Sequence, residues 1–279
     1  RNGVSYYVRH NGKPDNRLEL RLVVRTGSVL EEDDQQGLAH FLEHMAFNGT
    51  KRFKKQEIVD YLEGIGMRFG PDLNAYTSFD ETVYMLEVPS DDPQILEKAL
   101  LILHEWAQGV SMEQEEVEKE RGVILEERRQ GLGARARIRD KQLPVILHGS
   151  RYADRLPIGT EAVLKSAPPE TMRRFYVDWY RPDLMAIIAV GDFDKTKIEA
   201  QIKERFSDLK GPAAPPKRLL HPVPGHEETL VTIATDPELP VTAVSILKKL
   251  PKMPQGTATA YREYLLHQLY HSMLNARLD

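Results

Sequence analysis

Apolar residues in alternating or continuous runs predict the β-strands of this chain. Residues 4–8 and 18–25 carry β-branched, aromatic or alternating apolar side chains on either side of Asn11-Gly12, and this pattern predicts a two-stranded hairpin. Two further runs, residues 82–88 and 184–190, have the length and the apolar content of strands. Between these strands lie longer segments with a different period.

The longer segments carry apolar residues at the spacing of three and four that is typical of amphipathic helices. Ile58, Tyr61, Leu62 and Ile65, for example, would share one face of a helix. The predicted helices cover residues 37–47, 55–65, 93–108, 112–130, 134–143, 168–176, 195–206 and 261–279. No Gly, Pro or capping residue follows the last helix, so we expect the chain to be the N-terminal piece of a longer protein.

A proline-rich segment divides the chain into two parts. Residues 211–225 contain five prolines, which is typical of a linker. The part before it, residues 1–210, combines strands with long helices and is predicted to form one α+β or α/β sandwich. The part after it, residues 226–279, contains two more predicted strands, 229–234 and 241–247, and would begin a second domain.

The composition narrows the class of protein. With 279 residues, of which 29% are charged and 41% hydrophobic, the chain has the length of about two domains and an ordinary globular composition. No apolar run reaches the roughly 18 residues that a membrane span needs, so we expect no transmembrane segment. The net charge of −4 gives no reason to expect a nucleic-acid partner. The absence of cysteine excludes thiol catalysis, cysteine-bound zinc and disulfides.

The strongest candidate for chemistry is the sequence His40-Phe-Leu-Glu43-His44 in the first predicted helix. Residues at i and i+4 lie on the same face of a helix, so both imidazoles can reach one metal ion. The carboxylate of Glu43 can lie over the same site and act as a base toward a water molecule. This order of residues is the inverzincin arrangement, HxxEH, of zinc hydrolases. The alternative is a pair of surface histidines whose spacing has no function.

A third protein ligand is expected from the acidic fourth predicted helix. Glu120 and Glu127 are seven residues apart, so they differ by only about 20° around a helix. They flank Val123 and Ile124, which should face the core. One glutamate can therefore be a ligand while the other supports the site, and their spacing leaves open which is which. Glu126 should point elsewhere, and most of the other acidic residues of this helix should form a solvated face.

His267 and His271 form a second pair at i and i+4, in the last predicted helix. No glutamate lies between them to act as a base. We therefore interpret them as surface or packing residues. The remaining histidines stand alone and are interpreted as structural: His10, His104, His148, His221 and His226.

Two segments carry a resemblance to a known family. The sequences GLAHFLEHMAFNGT (residues 37–50) and ERGVILEE (residues 120–127) resemble the pitrilysin/insulinase family of zinc metallopeptidases. Further likeness lies in residues 73–77 and 82–84, which resemble the substrate-edge strand of that family, and in residues 156–160, 175–180 and 190–192. The resemblance covers residues 1–210 and, more weakly, the rest. It is greatest with the long bacterial peptidases that consist of two halves.

The resemblance implies a fold and a set of roles. The fold would be α+β, a pitrilysin-like two-layer sandwich of a largely antiparallel sheet with helices, followed by the start of a second, similar domain. The implied roles are zinc ligand for His40, His44 and Glu127, general base for Glu43, and orientation of the site by hydrogen bonding for Glu120. The interval from His44 to Glu127 is a few residues longer than in the family, and we expect the extra residues at 67–72.

The resemblance also implies how substrate is bound. Asn74 and Ala75 would lie on a sheet edge beside the metal, where a peptide or an unfolded polypeptide adds as an extra strand. A homologous C-terminal half of the same protein would enclose the substrate. The likeness to the bacterial subgroup favours a periplasmic location, and the absence of cysteine permits the cytoplasm as well. The alternative function is a non-catalytic partner or scaffold half that binds polypeptide without cleaving it.

Overall fold

Five strands form one mixed sheet in the computed structural model, which describes residues 2–278. The strands are β1 (Ser5–His10), β2 (Arg17–Val24), β3 (Leu73–Thr77), β4 (Thr82–Pro89) and β5 (Met185–Gly191). Their order across the sheet is β1-β5-β2-β4-β3. Only the β1–β5 pair is parallel. The prediction of an α+β fold with a largely antiparallel sheet is therefore confirmed, and β3 forms one edge of the sheet.

The predicted hairpin of the first two strands is wrong. β1 and β2 do not pair with each other, because β5 lies between them and pairs with both. The connection from β1 to β2 covers residues 11–16, which is longer than the two-residue turn of a tight hairpin. Residues 185–190, MAIIAV, are all apolar, and such a strand is best satisfied with a neighbour on each side.

Helices cover one face of the sheet. Burial alternates along β2, where Leu18, Leu20, Leu22 and Val24 are fully buried against the helical layer. The other face is only partly buried and carries an ion pair between Glu19 and Arg21. This one-sided burial gives the two-layer sandwich that was expected.

Nine α-helices are found within the described residues. They are α1 (Leu38–Met45), α2 (Glu57–Gly64), α3 (Pro93–Gln108), α4 (Gln114–Gln130), α5 (Ala134–Ile146), α6 (Glu161–Ser166), α7 (Pro169–Trp179), α8 (Lys195–Arg205) and α9 (Ala258–Leu278). All the predicted helices are present, and α6 is an addition. Within α4, Ile124 is buried as predicted, whereas Val123 is 52% exposed, so its predicted core position is wrong. No helix within residues 2–278 has the length and the apolar character that a membrane span requires.

The chain divides into two compact units. One consists of residues 1–224 and 228–239, and the other of residues 225–227 and 240–279. Residues 211–225 contain neither helix nor strand. In the first unit, Arg137 of α5 forms ion pairs of 2.7 Å with both Asp236 and Glu238.

The strands predicted at 229–234 and 241–247 are absent from the described part of the chain. Both segments have β-type sequences, but neither finds a partner strand for its backbone N–H and C=O groups, and an isolated strand is not stable. The second unit contains α9, as predicted up to residue 278.

Candidate metal centre

Helix α1 presents its two histidines beside each other. The rings of His40 and His44 meet edge to face, with centroids 4.8 Å apart. The buried residues Leu38, Phe41, Leu42 and Met45 follow the spacing i, i+3, i+4 and i+7 and anchor the helix in the core. The histidine pair therefore has a fixed direction, and both side chains remain partly accessible, at 14% and 23%.

Both ends of α1 are held by buried side chains. At the start, the carboxylate of Glu31 accepts hydrogen bonds from the backbone N–H groups of Gly37 (2.9 Å) and Ala39 (2.8 Å). Burial raises the pKa of Glu31 to about 8, although these two hydrogen bonds oppose the shift. At the end, the indole of Trp106 donates a 3.0 Å hydrogen bond to the carbonyl oxygen of Ala46. The helix is thus held at its start by the loop that carries Glu31 and at its end by α3.

A glycine contact sets the entry into α1. Gly37 precedes the helix in the left-handed region, with φ of +99°. The loop at Gly159 lies directly against it: a Cβ atom added to Gly159 would lie 2.3 Å from the Cα atom of Gly37. Two glycines are needed here because the two backbones touch. This contact gives a structural reason for the family resemblance of residues 156–160.

Helix α4 brings Glu127 to the two histidines. Its Oε2 atom lies 3.7 Å from His40 Nε2 and 3.5 Å from His44 Nε2. The three ligand atoms lie within 4.8 Å of one another, and they form the one such group of three found among residues 2–278. Ligand atoms at about 2.0–2.2 Å from one tetrahedral ion are about 3.4 Å apart, and the two distances from Glu127 are close to this value. Two imidazoles and one carboxylate also form a donor set typical of catalytic zinc.

Glu120 contacts the other side of His44. Its Oε1 atom lies 2.8 Å from His44 Nδ1, and its Oε2 atom accepts a 2.7 Å hydrogen bond from the side-chain amide of Asn48. Burial alone would raise the pKa of Glu120, but the hydrogen bonds from His44 and Asn48 lower it. An ionised partner at Nδ1 holds the ring with Nε2 directed toward Glu127.

The two histidines have different electrostatic surroundings. Burial, and then the nearby His44, lower the pKa of His40 to about 4, so His40 is neutral at pH 7. Its Nδ1 atom is buried and makes no hydrogen bond within residues 2–278. For His44, burial opposes the charged form, but the hydrogen bond and the charge of Glu120, followed by the charges of Glu43 and Glu127, raise the pKa overall. Neutral His40 can ligate a metal without losing a proton.

Glu43 lies beside the histidines but outside the group of three. It is only 8% exposed, and its Oε2 atom accepts a 2.5 Å hydrogen bond from the hydroxyl group of Thr77 on β3. Burial raises the pKa of Glu43, whereas the hydrogen bond from Thr77 and the charge of His44 act against this.

An open cavity of about 470 Å³ joins these groups to the edge strand. Asn74 and Ala75 line it from β3, and Phe47 and Phe69, whose ring centroids are 5.7 Å apart, line it with aromatic surface. The side-chain oxygen of Asn74 accepts a 2.9 Å hydrogen bond from the N–H group of Ala75. The outer edge of β3 therefore faces the same space as the histidines, where the family resemblance implies that substrate binds.

The other candidate residues lie apart from this site. Glu126 points away and forms hydrogen bonds with Arg129 and Gln130, as its position on the helix predicts. His267 and His271 are exposed on α9, with ring centroids 6.2 Å apart, and no third ligand joins them among the described residues. Sequence reasoning missed the roles of Glu31, Asn48 and Thr77, and only the last two lie in segments that were recognised as family-like.

Comparisons with known proteins identify the class. Residues 6–143 match the family described as "Insulinase (Peptidase family M16)", and residues 166–278 match "Peptidase M16 inactive domain". The chain belongs to the peptidase M16 (insulinase/pitrilysin) family, as the resemblance implied.

Named relatives refine this assignment. The chain is 44% identical over 278 residues to "Zinc protease PQQL-like" of Arabidopsis thaliana. This match covers 99% of the chain and 29% of that protein. It is 36% identical to "Probable zinc protease PqqL" of Escherichia coli K12, over 100% of the chain and 30% of that protein. The chain therefore spans about 30% of the length of these curated relatives.

Solved structures show the same fold. The crystal structure of the first half of the periplasmic protease PqqL from Escherichia coli superimposes with a TM-score of 0.74 at 40% sequence identity. The match covers 78% of this chain and 46% of that one. The chain is thus similar to the N-terminal part of a protease with two halves.

Proposed function

We propose that this chain carries the zinc ligands and the general base of a zinc-dependent endopeptidase that hydrolyses peptides or unfolded polypeptides. The observation that carries the proposal is the convergence of His40, His44 and Glu127, whose ligand atoms lie within 4.8 Å of one another. Glu43 lines the same cavity as these three residues and the edge of β3. The names of the curated relatives, which are zinc proteases, agree with this function.

His40, His44 and Glu127 would hold the zinc ion, which when bound would polarise the scissile carbonyl group and lower the pKa of the attacking water molecule. Glu43 is not needed as a ligand and is therefore free to take the proton from water and deliver it to the leaving amine. Glu120, hydrogen-bonded to His44, keeps that imidazole in the orientation that ligation requires.

The edge strand β3 would bind the substrate. After Leu73, no strand within residues 2–278 pairs with its outer edge, so an extended peptide can add there by backbone hydrogen bonds. The side chain of Asn74, which occupies the N–H group of Ala75, would give way to a substrate carbonyl group. Peptides in extended form, or unfolded polypeptide, meet this requirement, whereas a folded helix does not.

The setting of the activity is part of the proposal. We propose that a homologous C-terminal half of the same protein completes the substrate chamber, because the relatives that the chain matches are about three times longer. A periplasmic location is proposed from the likeness to a periplasmic protease of Escherichia coli. The domain boundaries proposed from the sequence are 1–210 for the zinc-binding domain, 211–225 for the linker and 226–279 for the start of the second domain.

A peptide-cleavage assay on the full-length protein tests this function. With zinc bound, the protein should cleave an unstructured peptide, and Glu43→Gln should keep the zinc while its rate falls by about 10²–10⁴-fold. Glu63→Gln, on an exposed face of α2, is the matched control and should retain the rate. A zinc-loaded protein that binds the peptide and leaves it intact would instead support the non-catalytic scaffold function.

A further inference from the structure

Thr77 is the last residue of β3, and its hydroxyl group contacts the proposed general base. Thr77 Oγ1 lies 2.5 Å from Glu43 Oε2, in one of the shortest side-chain hydrogen bonds of the site. Side chains alternate along a strand, so Thr77 shares a face with Leu73 and Ala75, the face that packs toward α1. The contact therefore joins the edge strand directly to the HxxEH helix.

The direction of this hydrogen bond follows from the neighbouring hydroxyl group. Thr82 pairs with Thr77 across the two strands, and their Oγ1 atoms are 3.5 Å apart. Thr82 donates its single hydroxyl hydrogen to the carbonyl oxygen of Thr26, at 3.0 Å. The hydrogen of Thr77 thus remains available for Glu43, and the shorter distance favours that acceptor.

The contact holds one of the two oxygens of Glu43 and leaves the other free. Oε2 is bonded to Thr77, and within residues 2–278 no hydrogen bond is formed to Oε1. A carboxylate that is held at one oxygen cannot rotate freely about its last bond, so the second oxygen keeps a fixed direction. Positioning of this kind matters because a misplacement of about 1 Å can cost on the order of 10²-fold in rate.

We propose that Thr77 is a positioning residue for peptide hydrolysis: its hydroxyl group fixes the orientation of the Glu43 carboxylate and ties it to the strand on which substrate adds. The inference rests on the proposed function. Because β3 carries Asn74 and Ala75 as well as Thr77, one strand would bind the substrate and also hold the carboxylate of the base. Thr77 would act through Glu43 rather than through contact with the substrate.

Two substitutions at residue 77 separate positioning from packing. Thr77→Val keeps the shape and the β-branch and removes the donor, whereas Thr77→Ser keeps the donor. In the full-length protein we expect Thr77→Val to lower kcat by about 10–100-fold with KM within about twofold and zinc retained. Thr77→Ser should recover kcat to within about threefold of the original protein. Equal loss in both variants, or a loss confined to KM, contradicts the proposal.

A double-mutant cycle tests whether Thr77 acts through Glu43. In the Glu43→Gln background, Thr77→Val should lower the remaining rate by less than about twofold, because the group it positions has gone. Thr82→Val is the matched control, since it removes the neighbouring hydroxyl group that does not donate to Glu43. It should lower stability by about 1 kcal/mol, the usual worth of a hydrogen bond, and leave kcat unchanged.

The results also distinguish this inference from the proposed function. If the zinc-loaded protein cleaves no peptide, the proposed function fails and the inference fails with it. If it cleaves peptide and Thr77→Val has the original kcat, only the inference is overturned. An additive loss in the double variant likewise overturns it, because Thr77 would then act independently of Glu43.

Discussion

Glu120 and Glu127 contact opposite nitrogen atoms of the same imidazole. Glu120 Oε1 lies 2.8 Å from His44 Nδ1, and Glu127 Oε2 lies 3.5 Å from His44 Nε2. The two glutamates are two helical turns apart on α4, about 10.5 Å along its axis, and the ring of His44 lies between their carboxylates. One helix can thus supply a ligand at one nitrogen and a hydrogen-bond partner at the other.

This relationship predicts different costs for the two glutamates. Glu127→Gln removes a charged ligand, so we expect zinc affinity to fall by more than about 100-fold. Glu120→Gln keeps an acceptor for His44 but loses the charge. Zinc affinity should fall by about 10–100-fold, the usual range when a residue that hydrogen-bonds to a metal ligand is replaced. Competition for zinc with a chromophoric chelator measures both values.

Glu126→Gln is the control for this comparison. Its carboxylate is bonded to Arg129 and Gln130 on the exposed side of α4, so zinc affinity should change by less than about twofold. A larger loss at 120 than at 127 would exchange the two proposed roles, and equal losses would contradict the predicted difference between them.

The two i, i+4 histidine pairs should behave differently. His40→Ala or His44→Ala leaves two of three ligands, and zinc measured by atomic absorption should fall from about one per chain to a small fraction of that value. His267→Ala with His271→Ala should leave the zinc content unchanged, since no third ligand joins that pair among the described residues. If zinc persists in His40→Ala and is lost from the α9 double variant, the metal site lies on α9 and not on α1.

Local pattern predicted the helices well and the strand pairing poorly. The pairing of β1 with β5 joins Tyr7 to Ile188, 181 residues later, and no local signal encodes such a contact. Asn11-Gly12 is typical of a turn in sequence, yet the turn between β1 and β2 lies at residues 15–16, and the two strands do not pair. The strands expected after residue 225 failed for a related reason, since β-type sequence specifies a strand but does not supply its neighbour.

The sequence pointed to the candidate metal ligands but not to the residues that hold them in place. The spacing of His40 and His44 is local, so a helix was enough to bring them together, and the likeness to a family pointed to Glu127. Glu31 lies seven residues before α1, within a run of polar residues that looks solvent-exposed, and only the fold buries it at the helix start. Thr77 faces Glu43 because of strand alternation combined with the packing of β3 on α1, which the sequence does not specify.

The glycine contact at the start of α1 gives a prediction about stability. In Gly159→Ala the new Cβ atom would meet the Cα atom of Gly37 at 2.3 Å, and neither backbone can yield without moving the helix. We expect a loss of roughly 2–3 kcal/mol in the free energy of unfolding, together with weaker zinc binding. Chemical denaturation of the apo chain measures the first effect.

Gly122→Ala is the matched control for that substitution. Gly122 lies inside α4, and a Cβ atom added there meets nothing within 4 Å. Alanine is the better helix former, so this variant should be more stable by roughly 0.5–1 kcal/mol. If both glycine substitutions have the same sign, the close approach of the two backbones does not determine stability.

The last prediction concerns Glu31 and pH. Burial raises its pKa from 4.5 to about 8, against the opposing influence of its two backbone hydrogen bonds and of Arg155 and Arg151. Between these pH values the folded protein holds a proton that the unfolded chain has released. The contribution of Glu31 to the free energy of unfolding should therefore be largest below about pH 4.5 and should be lost as the pH rises toward 8.

Comparison with Glu31→Gln isolates this effect from other titrating groups. The variant keeps the size of the side chain and cannot ionise. As the pH rises from 5 to 8, the unfolding free energy of the original protein should therefore fall relative to that of the variant. The slope should be roughly 1.4 kcal/mol per pH unit, the free energy that corresponds to one proton over one pH unit. Urea denaturation of the metal-free proteins at several pH values measures the difference. Without metal, neither protein gains stability from bound zinc. A flat difference across this range would mean that Glu31 stays ionised at the start of α1, held by the N–H groups of Gly37 and Ala39.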